Sequence, residues 1–185
     1  YGSTPIPELA GNEDAMEMGQ RLFANNCAVC HGSAGRGSVG FPNLTDDAWL
    51  YGGDPDTILQ TLHNGRQGNM PAKGTMPNMT AEQVDQVVNY VLSFSGREQD
   101  KAAAEAGAEV YAQACVACHG ADGTGNQALG APNLTDDSWL YGSTYEWIEE
   151  TVVYGRQNVM PAQGGRLSDD QIHILAGYVY SLSNN

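Results

Sequence analysis

Two short stretches carry the residues best suited to chemistry. "CAVCHG" sets Cys27, Cys30 and His31 together, and "CVACHG" sets Cys115, Cys118 and His119 in the same order. The chain has 4 cysteines, all of them in these stretches. Three chemistries use cysteine pairs of this kind. A structural zinc site draws its ligands from closely spaced pairs, whereas these pairs stand 88 residues apart and each runs into a histidine. A thioredoxin-like redox pair needs a preceding strand in a βαβ setting, and no strand pattern precedes either pair. Covalent attachment of a c-type haem accounts for all three residues. Two thiols three apart, near the end of a helix, reach the two vinyl groups of one porphyrin as thioethers, and the next residue turns its imidazole to the iron. One such pentapeptide can be an accident. Two, in matching places of a duplicated unit, lead to the expectation of two covalently bound haem c.

The sixth ligand is read from repetition. Of the remaining histidines, His63 aligns with Val153 and His173 with Asp85, so neither repeats. Met70 and Met160 do repeat, each opening "MPA". A thioether sulfur is a soft ligand that favours ferrous iron and raises its potential. The proline behind it stiffens the loop. The expected metal ligands are therefore His31, Met70, His119 and Met160, with Met76 as the competing methionine. Met16, Met18 and Met79 read as packing residues. Either each histidine finds the methionine of its own copy, or the copies exchange loops so that His31 meets Met160 and His119 meets Met70. Arg66 and Arg156 also repeat, and a guanidinium fork suits a haem propionate. Trp49 and Tyr51, with Trp139 and Tyr141 in the second "WLYG", read as packing near the haem edges with their polar tips bonded.

The elements holding these residues occur twice. "AMEMGQRLFANNCAVCHG" aligns with "AAEAGAEVYAQACVACHG" at an offset of 88, "PNLTDDAWLYGG" with "PNLTDDSWLYGS" at 90, and "GRQGNMPAKG" with "GRQNVMPAQG" at 90. "MTAEQVDQVVNYVLSFS" returns to 88 against "LSDDQIHILAGYVYSLS". A unit of about 85 residues is too long for a solenoid repeat and reads as a duplicated small domain. The boundary falls near "SGREQDK", dividing the chain into 1–96 and 97–185. Each copy reads as helix, long loop, short helix, loop, helix. Met18, Leu22 and Phe23, or Ala106, Val110 and Tyr111, have helical spacing before the cysteines. Thr80 with Gln83, and Ser168 with Gln171, have the form of a capping box. Val84, Val87, Val88 and Val91 form an apolar stripe, matched by Ile172, Leu175, Ala176 and Val179. Gly- and Pro-rich loops this long suit a domain wrapped around a large prosthetic group, which also supplements a thin core.

Composition narrows the partners. Against 22 acidic residues stand 8 Lys and Arg, a formal net charge of −14. Such a surface repels phosphate backbones, so nucleic acid is excluded as a partner. No stretch reaches the run of about 20 apolar residues that a membrane span needs. The start, Tyr1-Gly2-Ser3-Thr4-Pro5, lacks the basic and apolar segments of a signal peptide. The expectation is a soluble stretch, either a processed product or a piece cut from something longer. Thioether formation in bacteria takes place outside the cytoplasm, which points to the periplasm.

Taken together, "CAVCHG…FPNLTDDAWLYGG…GRQGNMPA" and "CVACHG…GNQALGAPNLTDDSWLYG…GRQNVMPAQ" resemble the dihaem cytochrome c subunit, CcoP/FixP type, of cbb3-type cytochrome c oxidases, over about residues 15 to 183. The resemblance implies an all-α fold of two tandem class I cytochrome c domains, each a few helices around a covalent haem c. In that family the haem ligands fall on Cys27, Cys30, His31, Met70, Cys115, Cys118, His119 and Met160. It implies an electron-transfer subunit with no catalytic site of its own, located at the periplasmic face of the bacterial inner membrane. Electrons would come from a soluble donor cytochrome c and pass to other subunits of the oxidase complex. Family members carry an N-terminal membrane anchor absent from this chain, so a free soluble dihaem shuttle is the alternative.

Overall fold

The computed structural model describes residues 1–184. Nine helices and two strands are found among them: α1 (Ile6–Leu9), α2 (Glu13–Asn26), α3 (Ala28–His31), α4 (Pro55–Asn64), β1 (Arg66–Met70), α5 (Ala81–Phe94), α6 (Lys101–Ala114), α7 (Val116–His119), α8 (Tyr145–Tyr154), β2 (Arg156–Met160) and α9 (Asp169–Asn184). About half of the chain is helical, as expected from the apolar periodicity. The strands are an addition to the all-α expectation. They pair with each other in a two-stranded sheet. Each alternates half-buried and exposed residues, beginning with a half-buried arginine and ending with a half-buried methionine.

The chain forms two compact units, and they are not the two sequence copies. One unit comprises residues 1–67 and 159–185, the other residues 68–158. The copies divide near residue 96, whereas the unit boundaries fall inside β1 and β2. Each unit therefore joins the first part of one copy to the last part of the other.

In the first unit α9 packs on α2, α4 and α1. Phe23, Ile58, Leu62, Ile172, Leu175, Ala176 and Val179 form its core. In the second unit α5 packs on α6 and α8, around Val84, Val87, Val88, Leu92, Val110, Tyr111, Ile148 and Val152. Both expected apolar stripes are buried.

Local signals set the helix starts. Asn12 accepts a hydrogen bond from the Ala15 N–H, Asp54 one from Thr57, and Asp100 those of Ala102 and Ala103. Thr80 and Gln83 form the reciprocal capping box. Ser168 and Gln171 do the same: the Ser168 N–H donates to Gln171 Oε1 at 2.9 Å and the Gln171 N–H to Ser168 Oγ at 3.3 Å.

The helix before each cysteine pair buries Phe23, Val110 and Tyr111 as their spacing predicts, but not every residue of the expected stripe. α2 buries Ala15, Gly19 and Phe23, while Met18 is 42% exposed. α6 buries Ala104, Gly107, Val110, Tyr111 and Ala114, while Ala106 is exposed. The reason is a close helix crossing. A Cβ on Gly19 would overlap Tyr178 of α9, and one on Gly107 would overlap the Gln86 carbonyl of α5. Glycine is a contact residue at each crossing, so the buried face takes in Gly19 and Gly107 in place of Met18 and Ala106.

Candidate functional site

Each unit contains one cysteine pair and one adjacent histidine. Cys27 ends α2 and Cys115 ends α6, and each begins a single helical turn that finishes on the histidine. Gly32 and Gly120 then leave the helix with φ of 76° and 77°, a region that favours glycine. Both imidazoles are buried, His31 at 8% and His119 at 7% exposure. His31 Nδ1 lies 3.0 Å from the Pro42 carbonyl oxygen and His119 Nδ1 lies 3.1 Å from that of Pro132. A proton on Nδ1 donated to that carbonyl leaves the Nε2 lone pair for a metal and fixes the ring's orientation. Burial also pushes the His119 pKa down, which favours the neutral ligand form.

The cysteines are free thiols. Burial, and then the neighbouring cysteine, pushes Cys27 and Cys115 up to about 11. An activated redox thiol has the opposite shift. Among the described residues no three His, Cys, Asp or Glu side chains converge as a metal cluster. The zinc and thioredoxin-like readings therefore find no support in the geometry.

The "MPA" segments lie in exchanged positions. In the first unit, which holds His31, the segment is Met160-Pro161-Ala162. Gly65, with φ 69°, lies so close to it that a Cβ would overlap the Met160 carbonyl oxygen. The Gln163 N–H donates to Leu62 O at 2.8 Å. Met160 packs against the same core as Cys27 and Trp49. In the second unit, which holds His119, the segment is Met70-Pro71-Ala72. Gly155, with φ 71°, lies against the Met70 carbonyl, and the Lys73 N–H donates to Val152 O at 2.6 Å. Met76 packs against the core of this unit, as do Cys115 and Trp139.

The repeated arginines have equivalent surroundings. Arg66 Nε donates to Thr61 Oγ1 at 2.8 Å, and its guanidinium lies 4.7 Å from the Tyr51 ring centroid. Arg156 Nε donates to Thr151 Oγ1 at 3.0 Å and its guanidinium lies 4.2 Å from the Tyr141 ring centroid. The Tyr141 hydroxyl is bonded to Asn158. Arg156 Nη2 is buried without an acceptor. A buried guanidinium nitrogen needs an anionic or carbonyl partner. Trp139 Nε1 donates to the Asp136 carbonyl at 2.9 Å, and Arg97 lies over its ring. Sequence reasoning passed over Pro42, Pro132, Thr61 and Thr151. The first two are visible as the proline of each "PNL"; the threonines repeat at an offset of 90 and were open to the same comparison.

Paired cysteines and a buried imidazole with Nε2 left for a metal, repeated in both units, fit a covalent haem of the c type, and in the second unit the unsatisfied Nη2 of Arg156 fits a propionate. The comparisons agree: the family model for cytochrome c oxidase, cbb3-type, subunit III matches residues 14–91 and 102–179. The chain belongs to this family and carries two tandem cytochrome c domains. It is 50% identical over 183 residues to the Cbb3-type cytochrome c oxidase subunit CcoP of Rubrivivax gelatinosus, covering 99% of the chain and 60% of that protein. It is 46% identical over 177 residues to the Cbb3-type cytochrome c oxidase subunit FixP of Bradyrhizobium diazoefficiens, covering 91% of the chain and 61% of that protein. The chain thus spans about three fifths of the length of these relatives. No helix among the described residues is long and apolar enough to cross a membrane.

Proposed function

We propose that the chain is the electron-transfer portion of a cbb3-type oxidase subunit and holds two covalent haem c. Cys27 and Cys30 would anchor one, with His31 as its axial ligand; Cys115 and Cys118 would anchor the other, with His119. The carrying observation is the imidazole geometry repeated in both units. The membership of the compact units favours exchanged methionines, Met160 for the haem of His31 and Met70 for the haem of His119. When bound, haem c supplies a one-electron iron couple. The protein's own groups then do three things. The prolyl carbonyls of Pro42 and Pro132 hold the Nδ1 protons, which orients each imidazole and raises its basicity. The methionine sulfurs of Met70 and Met160 would hold the iron as soft ligands, which favour the reduced state. Arg66 and Arg156, backed by threonine and tyrosine, would bind propionates.

A histidine and a methionine on each iron would suit this portion to carrying electrons to a catalytic subunit. The donor would be a soluble cytochrome c and the acceptors the other subunits of the oxidase, on the periplasmic side. The net charge of −14 suits a basic donor, whose reduction of this protein should slow as salt screens the attraction.

The direct test is spectroscopic. Haem content should be two haem c per chain, and the reduced protein should show no spectral change with carbon monoxide. In a C115A/C118A variant carrying only the first haem, M160L should abolish the sulfur-to-iron absorption while M70L and M76L leave it intact. Loss of the band in M70L instead would overturn the exchange. In the reciprocal C27A/C30A variant, M70L should abolish the band. Its loss in M76L would transfer the assignment to Met76.

A further inference from the structure

The two arginine sites share their threonine and tyrosine contacts and differ in charge only at Glu150, whose counterpart is Gln60; the neutral Asn158 bonded to Tyr141 has Gly68 as its counterpart. Glu150 and Gln60 are both the sixth residue of their helix, α8 and α4. Arg156 Nη1 bonds Glu150 Oε1 at 2.8 Å, and the arginine side chain is 18% exposed. Arg66 instead donates only to neutral groups, Thr61 Oγ1 and, at 3.4 Å, the Thr57 carbonyl. Among the described residues no carboxylate lies within ion-pair distance of it. One guanidinium therefore carries a compensated charge and the other a full one. Arg97, the other arginine at an aromatic ring of the second unit, pairs at 2.9 Å with Asp137, whose side chain is 98% exposed, and its contribution is common to every variant tested below. Asp47, the first unit's counterpart of Asp137, is exposed, where solvent and salt weaken its field.

We propose that Glu150 sets the two haems apart in potential by placing at Arg156 a negative charge that the neutral Gln60 does not place at Arg66. This rests on the two-haem reading above. A positive charge beside a haem stabilises the added electron, so compensation lowers the potential. The haem held by His119 would then have the lower potential of the two. Glu150 acts through Arg156 and is a positioning residue. The half-exposed carboxylate keeps the effect moderate.

The test follows haem-methyl NMR signals of each haem separately through a redox titration of the two-haem protein. In E150Q, the reduced-to-oxidised ratio of the His119 haem at fixed ambient potential should rise on the order of fivefold, with the His31 haem unmoved. In Q60E, the ratio of the His31 haem should fall by a similar factor. E150D, which keeps the carboxylate, should shift less than E150Q. Both positions are exposed, so the fold tolerates these changes. Two normal haems with unmoved midpoints, or a shift in the wrong haem, overturn this proposal alone. A protein that binds no second haem overturns it together with the reading beneath it.

Discussion

The two units use one scaffold and fill it differently. In residues 1–67 and 159–185, Phe23 meets Tyr178 at 5.4 Å between ring centroids, and Leu182 lies against Gly35. In residues 68–158, the matching places hold Tyr111, Tyr90 and Phe94. These three rings pack mutually, with centroids 4.9 to 5.2 Å apart. Phe94 takes the place against Gly123 that Leu182 has against Gly35. Tyr111 also donates its hydroxyl to the Gly120 carbonyl at 2.9 Å, directly after His119, a bond that Phe23 lacks the group to make. The glycine crossings, the imidazole-to-prolyl-carbonyl contact and the return of the "MPA" loop appear in both units. What the two hold in common is the framework around the cysteine pair; what differs is the packing behind it.

The helix crossings give the largest way to separate the units. In G107A the new methyl group meets the backbone carbonyl of Gln86 and, beyond it, the Tyr90 Cβ, and the carbonyl belongs to a helix backbone that cannot move aside. G19A meets mainly the Tyr178 side chain. We expect G107A to cost about 3 kcal/mol and G19A about 2, read by calorimetry alongside haem absorbance. A larger loss in G19A would break the view that the second crossing is the tighter.

Tyr111 gives the next effect. Y111F leaves the ring but strands the Gly120 carbonyl, for a loss of about 1 kcal/mol at neutral pH. The phenol is 1% exposed, and burial pushes its pKa above the ordinary 10.0. With the folded pKa raised, the contribution is complete below pH 10.0 and declines as pH climbs from there towards the folded value, because the unfolded chain ionises first. Unfolding measured against pH should therefore show a steeper alkaline loss in the parent than in Y111F. Equal slopes would mean that Tyr111 does not distinguish the second unit.

Residue type and spacing made the capping boxes legible, and they single out the residues on which the proposed site rests: the two cysteine–histidine clusters, the methionines and the arginines. The apolar stripes of α5 and α9 were legible too, since Val and Ile mark an inward face directly. Phe23, Val110 and Tyr111 were legible in α2 and α6, but the part of Gly19 and Gly107 was not, because these contribute contact by lacking a side chain. The strands gave no signal. "RQGNM" and "RQNVM" contain little of the β-branched or aromatic residue that marks a strand. The composition of the units could not be read at all, since identical copies can close on themselves or exchange ends with the same residues in contact. Only coordinates distinguish α5 packed on α6 from α5 packed on α2.

The capping boxes supply the smallest effect and a control for the others. Thr80 starts α5 in the second unit and Ser168 starts α9 in the first, with the same two reciprocal bonds. T80A and S168A each remove one acceptor for an exposed helical N–H, so each should cost about 1 kcal/mol. Because the bonds match, the losses should match, in contrast to the glycine and tyrosine substitutions. If chemical unfolding gives T80A and S168A the same loss, the unequal responses at Gly19, Gly107 and Tyr111 belong to the cores. A markedly larger loss in T80A would instead show that the second unit is the weaker throughout, and that its three-ring core adds nothing to its stability.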